Sequence, residues 1–269
     1  MKQRILTAMV GLPLILLVLF SPIPAVVLAV MAASAIALCE YMKAVGIWEN
    51  KWLRGMGIMA ALLIPLCFRM PVGVSQTVLY LYVAVLFVLM LMDHKRTTWV
   101  QISCLAMGLV YIPYFLSHIL FIRDMEFGKF YIWLVFIGAF ITDSCAYFVG
   151  CGIGKTKLCP SISPKKTVEG AIGGIIGCGL AFLIFGVIVN LGFSGVTFSL
   201  WRLFVAGLIC AVISEIGDLV ASMLKRQFAI KDFGTILPGH GGILDRCDSI
   251  ILVAPVLFLL LQQMGVLAA

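Results

Sequence analysis

Side chains able to bind metal ions and phosphate groups are concentrated in one stretch near the carboxyl end, residues 222–248. Carboxylate oxygens are ligands that Mg²⁺ prefers, and lysine or arginine side chains neutralise phosphate oxygens. Glycine-rich backbone can bring N–H groups close to an anion, so the stretch predicts a site for Mg²⁺ and phosphates. Its candidate metal-binding and phosphate-binding residues are Lys225, Arg226, Lys231, Asp232, His240, Gly241, Gly242, Asp245, Arg246 and Asp248.

The apolar segment before this stretch ends with a polar helical face. Asp218, Ser222 and Lys225 follow one another at i, i+4 and i+7, which places them on one side of a helix, and Glu215 adds a second acid. Polar groups stacked on one face of a membrane helix line a wet cavity more often than they face lipid. We therefore expect this face to form one wall of the site.

A second polar stretch, residues 150–170, precedes another apolar segment. Ser163 followed by proline is typical of a helix start, with serine as the cap. Lys165 and Lys166 would then lie in the first turn, where free N–H groups favour phosphate. The alternative is a basic flank of a membrane helix, which would need no substrate.

Two carboxylates fall inside predicted membrane helices. Glu169 lies one turn into its helix, and an intramembrane carboxylate costs roughly 2–3 kcal/mol or more unless it faces a cavity or a partner. Asp143 has two open interpretations, an internal hydrogen-bonding residue or a ligand for metal or phosphate. The small-residue spacing of Gly170, Gly173, Gly174 and Gly177 predicts close helix packing.

The elements that must position these residues are membrane helices. The chain of 269 residues is 63% hydrophobic and 12% charged, and its mean hydropathy is +1.16. Continuous apolar runs predict an all-α, polytopic integral membrane protein and argue against an outer-membrane barrel. We predict about nine spans, at residues 5–20, 24–39, 53–68, 74–92, 99–121, 130–149, 168–190, 201–221 and 249–267.

Charge and cysteine usage exclude other classes of protein. The net charge of +7 has no accompanying basic surface interleaved with aromatic residues, so we expect no nucleic acid partner. Basic residues here indicate topology and contact with anionic lipid headgroups. The 9 cysteines are scattered without a C-x-x-C pair, so they predict neither a zinc site nor a disulfide framework.

The distribution of lysine and arginine predicts which side of the membrane each loop faces. With nine spans and a cytoplasmic N-terminus, 15 of the 19 basic residues fall in cytoplasmic regions. Both polar stretches then face the cytoplasm, so they can meet. The first segment could instead be a cleaved signal peptide, or a segment within 5–39 could be re-entrant. Short loops favour a bacterial inner membrane over an organellar one.

Three motifs resemble the phosphatidate cytidylyltransferase (CDP-diacylglycerol synthase) family. The longest reads S-x-L-K-R-x₄-K-D-x-G-x₂-L-P-G-H-G-G-x₂-D-R-x-D from Ser222 to Asp248. The others are S-P-K-K-T-x-E-G at Ser163–Gly170 and D-S-x-A-Y at Asp143–Tyr147. Together they cover roughly the carboxyl-terminal half, and Cys247 departs from the larger apolar residue or threonine usual in the family.

The resemblance implies transfer of a cytidylyl group from CTP to phosphatidic acid, dependent on Mg²⁺, with one cation or two left open. It implies one membrane-embedded domain over residues 1–269, with 1–121 mainly scaffold and 130–269 carrying the motifs, and it favours a homodimer. We expect metal ligation by Asp218 and Asp245, with Asp248 and Asp143 as further candidates. The expected catalytic residues are Asp218, Asp245, Lys225, Asp248 and Lys166, and the expected substrate-binding residues are Ser163, Lys165, Lys166, Glu169, Ser222, Arg226, Lys231, Asp232, His240, Gly241, Gly242 and Arg246.

Two other functions fit the same composition. One is a transporter of an anionic lipid or nucleotide, although such proteins more often have paired halves with broken helices, which this sequence lacks. The other is a membrane transferase that uses a different lipid phosphate.

Overall fold

The computed structural model describes residue 13 and residues 18–237, 239 and 241–264. Most of this part of the chain is helical, as the continuous apolar runs predict. A π-helical turn at Val110–Tyr114 connects the fourth and fifth helices. The elements are α1 (Ile23–Ala44), α2 (Lys51–Cys67), α3 (Val72–Met92), α4 (Trp99–Leu109), α5 (Phe115–Asp124), α6 (Gly128–Ile153), β1 (Lys157–Cys159), β2 (Ser163–Thr167), α7 (Val168–Gly192), α8 (Leu200–Gln227) and α9 (Leu244–Met264).

The chain forms two compact units. The first unit contains the described residues up to Phe121 together with Phe228–Arg246. Its helices α1, α2 and α4 pack closely, and the Tyr41 hydroxyl donates a hydrogen bond of 3.0 Å to the Cys104 carbonyl. The loop between α8 and α9 therefore belongs to the same unit as the amino-terminal helices.

The second unit contains Ile122–Gln227 and the described residues from Cys247 onward. Glycines of α7 lie directly against α6. A Cβ atom added at Gly170 would lie 2.7 Å from the Ala146 carbonyl oxygen, and one at Gly174 would lie 2.9 Å from that of Thr142. The predicted close packing of this glycine-rich face is confirmed.

Six helical stretches in the described part of the chain are long and apolar enough to cross a membrane. They are Ile23–Ala44, Val72–Met92, Trp99–Asp124, Gly128–Ile153, Val168–Gly192 and Leu200–Gln227. The predicted span at 53–68 corresponds to α2 and that at 249–267 to α9, but neither is among the six. Most of the predicted span at 5–20, and the end of the last one, lie outside the described residues.

The prediction that Ser163 begins a helix is wrong. Residues Ser163–Thr167 form strand β2, which pairs antiparallel with β1, and α7 begins at Val168. An N-cap residue and a strand residue both have extended backbone, so Ser163 before proline fits either, and here pairing with β1 keeps the residues up to Thr167 extended. The actual cap is Thr167, whose hydroxyl accepts a hydrogen bond of 3.1 Å from the Gly170 N–H.

Candidate active site

Lys166 lies at the centre of a cluster of charged side chains in the second unit. Its ammonium nitrogen is 2.5 Å from Glu215 Oε2 and 2.7 Å from Asp218 Oδ2. Burial alone would lower the pKa of Lys166, but the Asp218 and Glu215 carboxylates outweigh it and raise that pKa above the ordinary lysine value. The ammonium group therefore stays protonated at neutral pH, with two acids of α8 as its partners.

The hairpin explains why Lys166 rather than its neighbour reaches the cluster. Successive residues of a strand point to opposite sides, so adjacent lysines separate. Lys166 is partly buried, whereas Lys165 is exposed. Since both lysines were expected together in a helical turn, this separation follows directly from the corrected secondary structure.

Glu215 belongs to this cluster although it is not among the predicted site residues. Its side chain is buried; Oε2 accepts a hydrogen bond from Lys166, and no group in the described part of the chain donates to Oε1. A buried carboxylate oxygen without a partner is unfavourable by about 1–3 kcal/mol or more. The available signal was its position one helical turn before Asp218 in an apolar segment.

Asp248 supplies a second buried carboxylate in the same unit. It is 9% exposed, and the charges of Asp218 and Asp143 act on it unfavourably while Lys225 opposes them. Gly217 permits this arrangement, because a Cβ atom there would lie 2.7 Å from the Asp248 carbonyl oxygen. The charges of Asp143 and Asp218 thus act on the same buried carboxylate, and the expected metal ligation by these acids stays a prediction.

Other predicted residues of the second unit contact the hairpin region. Arg226 Nε donates to the Ile162 carbonyl at 3.3 Å. Glu169 accepts hydrogen bonds of 3.1 Å from the Lys155 and Thr156 N–H groups. Glu169 therefore holds the start of the hairpin in this structure, and its expected contact with substrate stays a prediction. Ser222 is half-buried on α8.

The glycine-rich loop in the first unit is organised by a carboxylate. Asp245 Oδ2 accepts hydrogen bonds from Phe233 N–H at 2.8 Å and Gly242 N–H at 2.9 Å. Gly241 has a φ of +82°, a conformation that favours glycine. His240 lies outside the described residues, and the loop residues Lys231 and Asp232 are exposed, as is Arg246 in the first turn of α9.

No group of three or more His, Cys, Asp or Glu side chains is arranged to hold a metal ion among the described residues. The donor chemistry nevertheless fits Mg²⁺, since the negative charges of Asp218 and Asp143 act on the Asp248 carboxylate, and Glu215 Oε1 has no hydrogen-bond partner among the described residues. The cysteines, all free thiols, contribute nothing to this set. Lys166 thus contacts Glu215 and Asp218 directly. Asp143 and Lys225 are related to Asp248 only by the electrostatic effect of their charges on it.

Comparison with known proteins identifies the family. The model of the cytidylyltransferase family matches residues 2–264. A phosphatidate cytidylyltransferase of Bacillus subtilis is 36% identical over 268 residues, covering 97% of each chain. A protein of the same name from Staphylococcus haemolyticus is 36% identical over 270 residues, covering 98% of this chain and 100% of its own. The chain therefore belongs to the cytidylyltransferase family.

Proposed function

We propose that this protein transfers the cytidylyl group of CTP to phosphatidic acid, giving CDP-diacylglycerol and pyrophosphate, as a step of phospholipid biosynthesis. Its family and the names of its near-full-length relatives support this activity. The apolar helices suit a substrate that resides in the membrane. The structural observation that carries the proposal is the partly buried Lys166 ammonium held between Glu215 and Asp218.

The reaction needs charge neutralisation more than proton transfer. A phosphate oxygen of phosphatidic acid forms a bond to the α-phosphorus of CTP, and the bond from that phosphorus to the bridging oxygen of the β-phosphate breaks. The electron pair leaves with pyrophosphate. Because the attacking oxygen is already anionic, a strong general base is unnecessary, and positioning with electrostatic stabilisation supplies most of the catalysis.

Lys166 is suited to stabilise the transferring phosphate. Its ammonium is a compact cation with three donors, and its partners Glu215 and Asp218 keep it protonated and oriented. When substrate binds, a phosphate oxygen can accept a hydrogen bond that the Lys166 ammonium now donates to a carboxylate. Lys165, Lys225, Arg226 and Arg246 are proposed to hold the other phosphate oxygens, while Ser163, Ser222, Glu169, Lys231, Asp232 and the turn Pro238–Gly242, including His240, contact substrate.

Mg²⁺ is the proposed cofactor. Asp218 and Asp248 would hold it, with Asp143 as a further ligand. The negative charges of Asp218 and Asp143 act unfavourably on Asp248, and a divalent cation would offset that repulsion. Asp245 is retained as a predicted ligand, although one of its oxygens already accepts two backbone N–H bonds. When bound, Mg²⁺ would neutralise phosphate charge and help to orient the leaving pyrophosphate.

The proposed setting is a bacterial inner membrane with the reactive groups facing the cytoplasm. Nine spans with a cytoplasmic N-terminus would place 15 of the 19 basic residues on that side. Bacterial relatives support the bacterial setting. We further propose that the chain acts as one cytidylyltransferase domain, since the family match extends over 2–264, and that it assembles as a homodimer.

The decisive experiment uses purified protein in detergent with CTP labelled in the cytosine ring, phosphatidic acid and Mg²⁺. We expect lipid-extractable label and an equal amount of pyrophosphate, and no label when EDTA removes the metal. Diacylglycerol, which lacks the attacking phosphate, is the matched control lipid. Uptake of CTP or lipid by reconstituted vesicles without any lipid-linked cytidine would contradict the proposal and favour the transporter.

A further inference from the structure

Glu40, near the end of α1 in the first unit, makes hydrogen bonds to a part of the chain more than 200 residues away. Its Oε1 accepts from the Ile243 N–H at 3.1 Å, and its Oε2 accepts from the Leu244 N–H at 2.8 Å. The first N–H groups of a helix lack intrahelical partners, and these two donors stand at the start of α9. Glu40 therefore caps that helix from a distant element.

The glycine-rich loop before α9 is held by two buried carboxylates rather than one. Glu40 is 3% exposed and Asp245 is 7% exposed. Asp245 bonds the incoming arm at Phe233 and the outgoing arm at Gly242, while Glu40 bonds the next two residues of the outgoing arm. Hydrogen bonds from N–H groups to buried carboxylates are among the stronger ones in proteins.

Two glycines let both arms of the loop lie directly against Glu40. For Gly234 and for Gly242, the three atoms nearest to an added Cβ all belong to the Glu40 side chain. A methyl group at either position would overlap the carboxylate. The Glu40 carboxylate thus lies between the arms, and the loop closes around it.

We infer that Glu40 is a positioning residue, whose carboxylate fixes the loop that carries Lys231 and Asp232 and the helix start that carries Asp245. It acts through the loop backbone and needs no contact with substrate. This inference rests on the proposed function, because it assigns Glu40 a role in that reaction. The amino-terminal helices then contribute to catalysis as well as to scaffolding.

The primary test is Glu40→Gln, which keeps the size of the side chain but replaces one acceptor oxygen by an amide NH₂ facing an N–H donor. A displacement of the loop by about 1 Å is expected to lower kcat by about 10²-fold. Glu49→Gln is the matched control, since Glu49 is exposed just beyond the same helix. The KM values for both substrates should change far less than kcat.

Hydrogen exchange separates positioning from global stability. In Glu40→Gln, peptides covering 233–244 should exchange faster, while α6–α8 keep the exchange rates of the wild type. A purely structural role would instead lower the unfolding temperature and leave kcat per folded molecule unchanged. That outcome would overturn the inference.

A second variant, Gly234→Ala, tests the same contact while retaining Glu40, so on its own it does not depend on the folding of Glu40 variants. Gly234→Ala retains the carboxylate but pushes against it, so kcat should fall in the wild-type background. In a Glu40→Ala background the added methyl group occupies vacated space, so it should cause little further loss. Losses that add independently, or a Gly234→Ala enzyme with normal kcat, would contradict the inference.

Failure of this inference is distinguishable from failure of the proposed function. If the wild-type protein makes no CDP-diacylglycerol, the proposed function fails, and the Glu40 role in that reaction fails with it. If the wild-type protein is active and the Glu40 and Gly234 variants match it, only the positioning role fails.

Discussion

At the scale of single residues, the site is defined by one lysine between two acids. The Lys166 ammonium satisfies Asp218 and one oxygen of Glu215, so each member depends on the others. Replacing one member leaves a different charge unpaired in each case. The consequences of substitution are therefore distinguishable.

Asp218→Asn tests the role of the acid that pairs with Lys166 and whose charge acts on Asp248. The substitution preserves shape but removes the negative charge that holds a cation, so turnover should fall by at least about 10²-fold while the protein stays folded. Turnover and size-exclusion profiles in detergent measure both properties. Asp93→Asn, at the end of α3, is the control, and near-normal turnover of Asp218→Asn would remove Asp218 from the site.

Lys166→Ala should impair stability as well as activity. Removal of the ammonium leaves Glu215 buried and unpaired, at a cost of about 1–3 kcal/mol. Adding Glu215→Gln removes that unpaired charge, so the double variant should recover much of the unfolding temperature without recovering turnover. Lys157→Ala, at an exposed lysine of the same hairpin, is the control. Recovery of turnover in the double variant would show that Lys166 serves stability alone.

At the scale of elements, the second unit depends on glycines that bring α7 against α6. Gly174→Ala places a Cβ atom 2.9 Å from the Thr142 carbonyl oxygen, and backbone cannot yield as a side chain can. We expect destabilisation by about 1–3 kcal/mol. Gly192→Ala, in the same helix with nothing within 4 Å of its added Cβ, should cause no such loss. Thermal unfolding in detergent compares the two, and equal unfolding temperatures would contradict the packing argument.

The elements also show where sequence patterns suffice and where they fail. Continuous apolar runs predicted the helices, from α1 through α9. The predicted helix start at Ser163 was wrong, because serine before proline is typical of helix caps and equally compatible with a strand. Glu40 could not be found from local pattern, since its partners are defined only by the folded chain.

At the scale of the whole molecule, the orientation in the membrane can be tested at the two ends of α6, where Lys129 and Cys151 are exposed. The proposed topology places Cys151 on the cytoplasmic side and Lys129 on the opposite side. In a chain whose other cysteines are replaced by serine, a membrane-impermeant maleimide should label Cys151 in inside-out vesicles only. With Cys151 also replaced, Lys129→Cys should react only in right-side-out vesicles, and the reverse pattern would contradict the proposed orientation.

The bond between Glu40 and Leu244 also has a consequence for biosynthesis. The two residues are separated by 204 positions, which the ribosome translates in roughly 10–40 s at about 5–20 residues per second. During that interval α1 has been made, but the backbone N–H groups that donate hydrogen bonds to the Glu40 carboxylate have not. Maturation of the loop must therefore follow translation of residues 243 and 244, and nascent chains that end before position 243 would lack both of the N–H groups that bond Glu40.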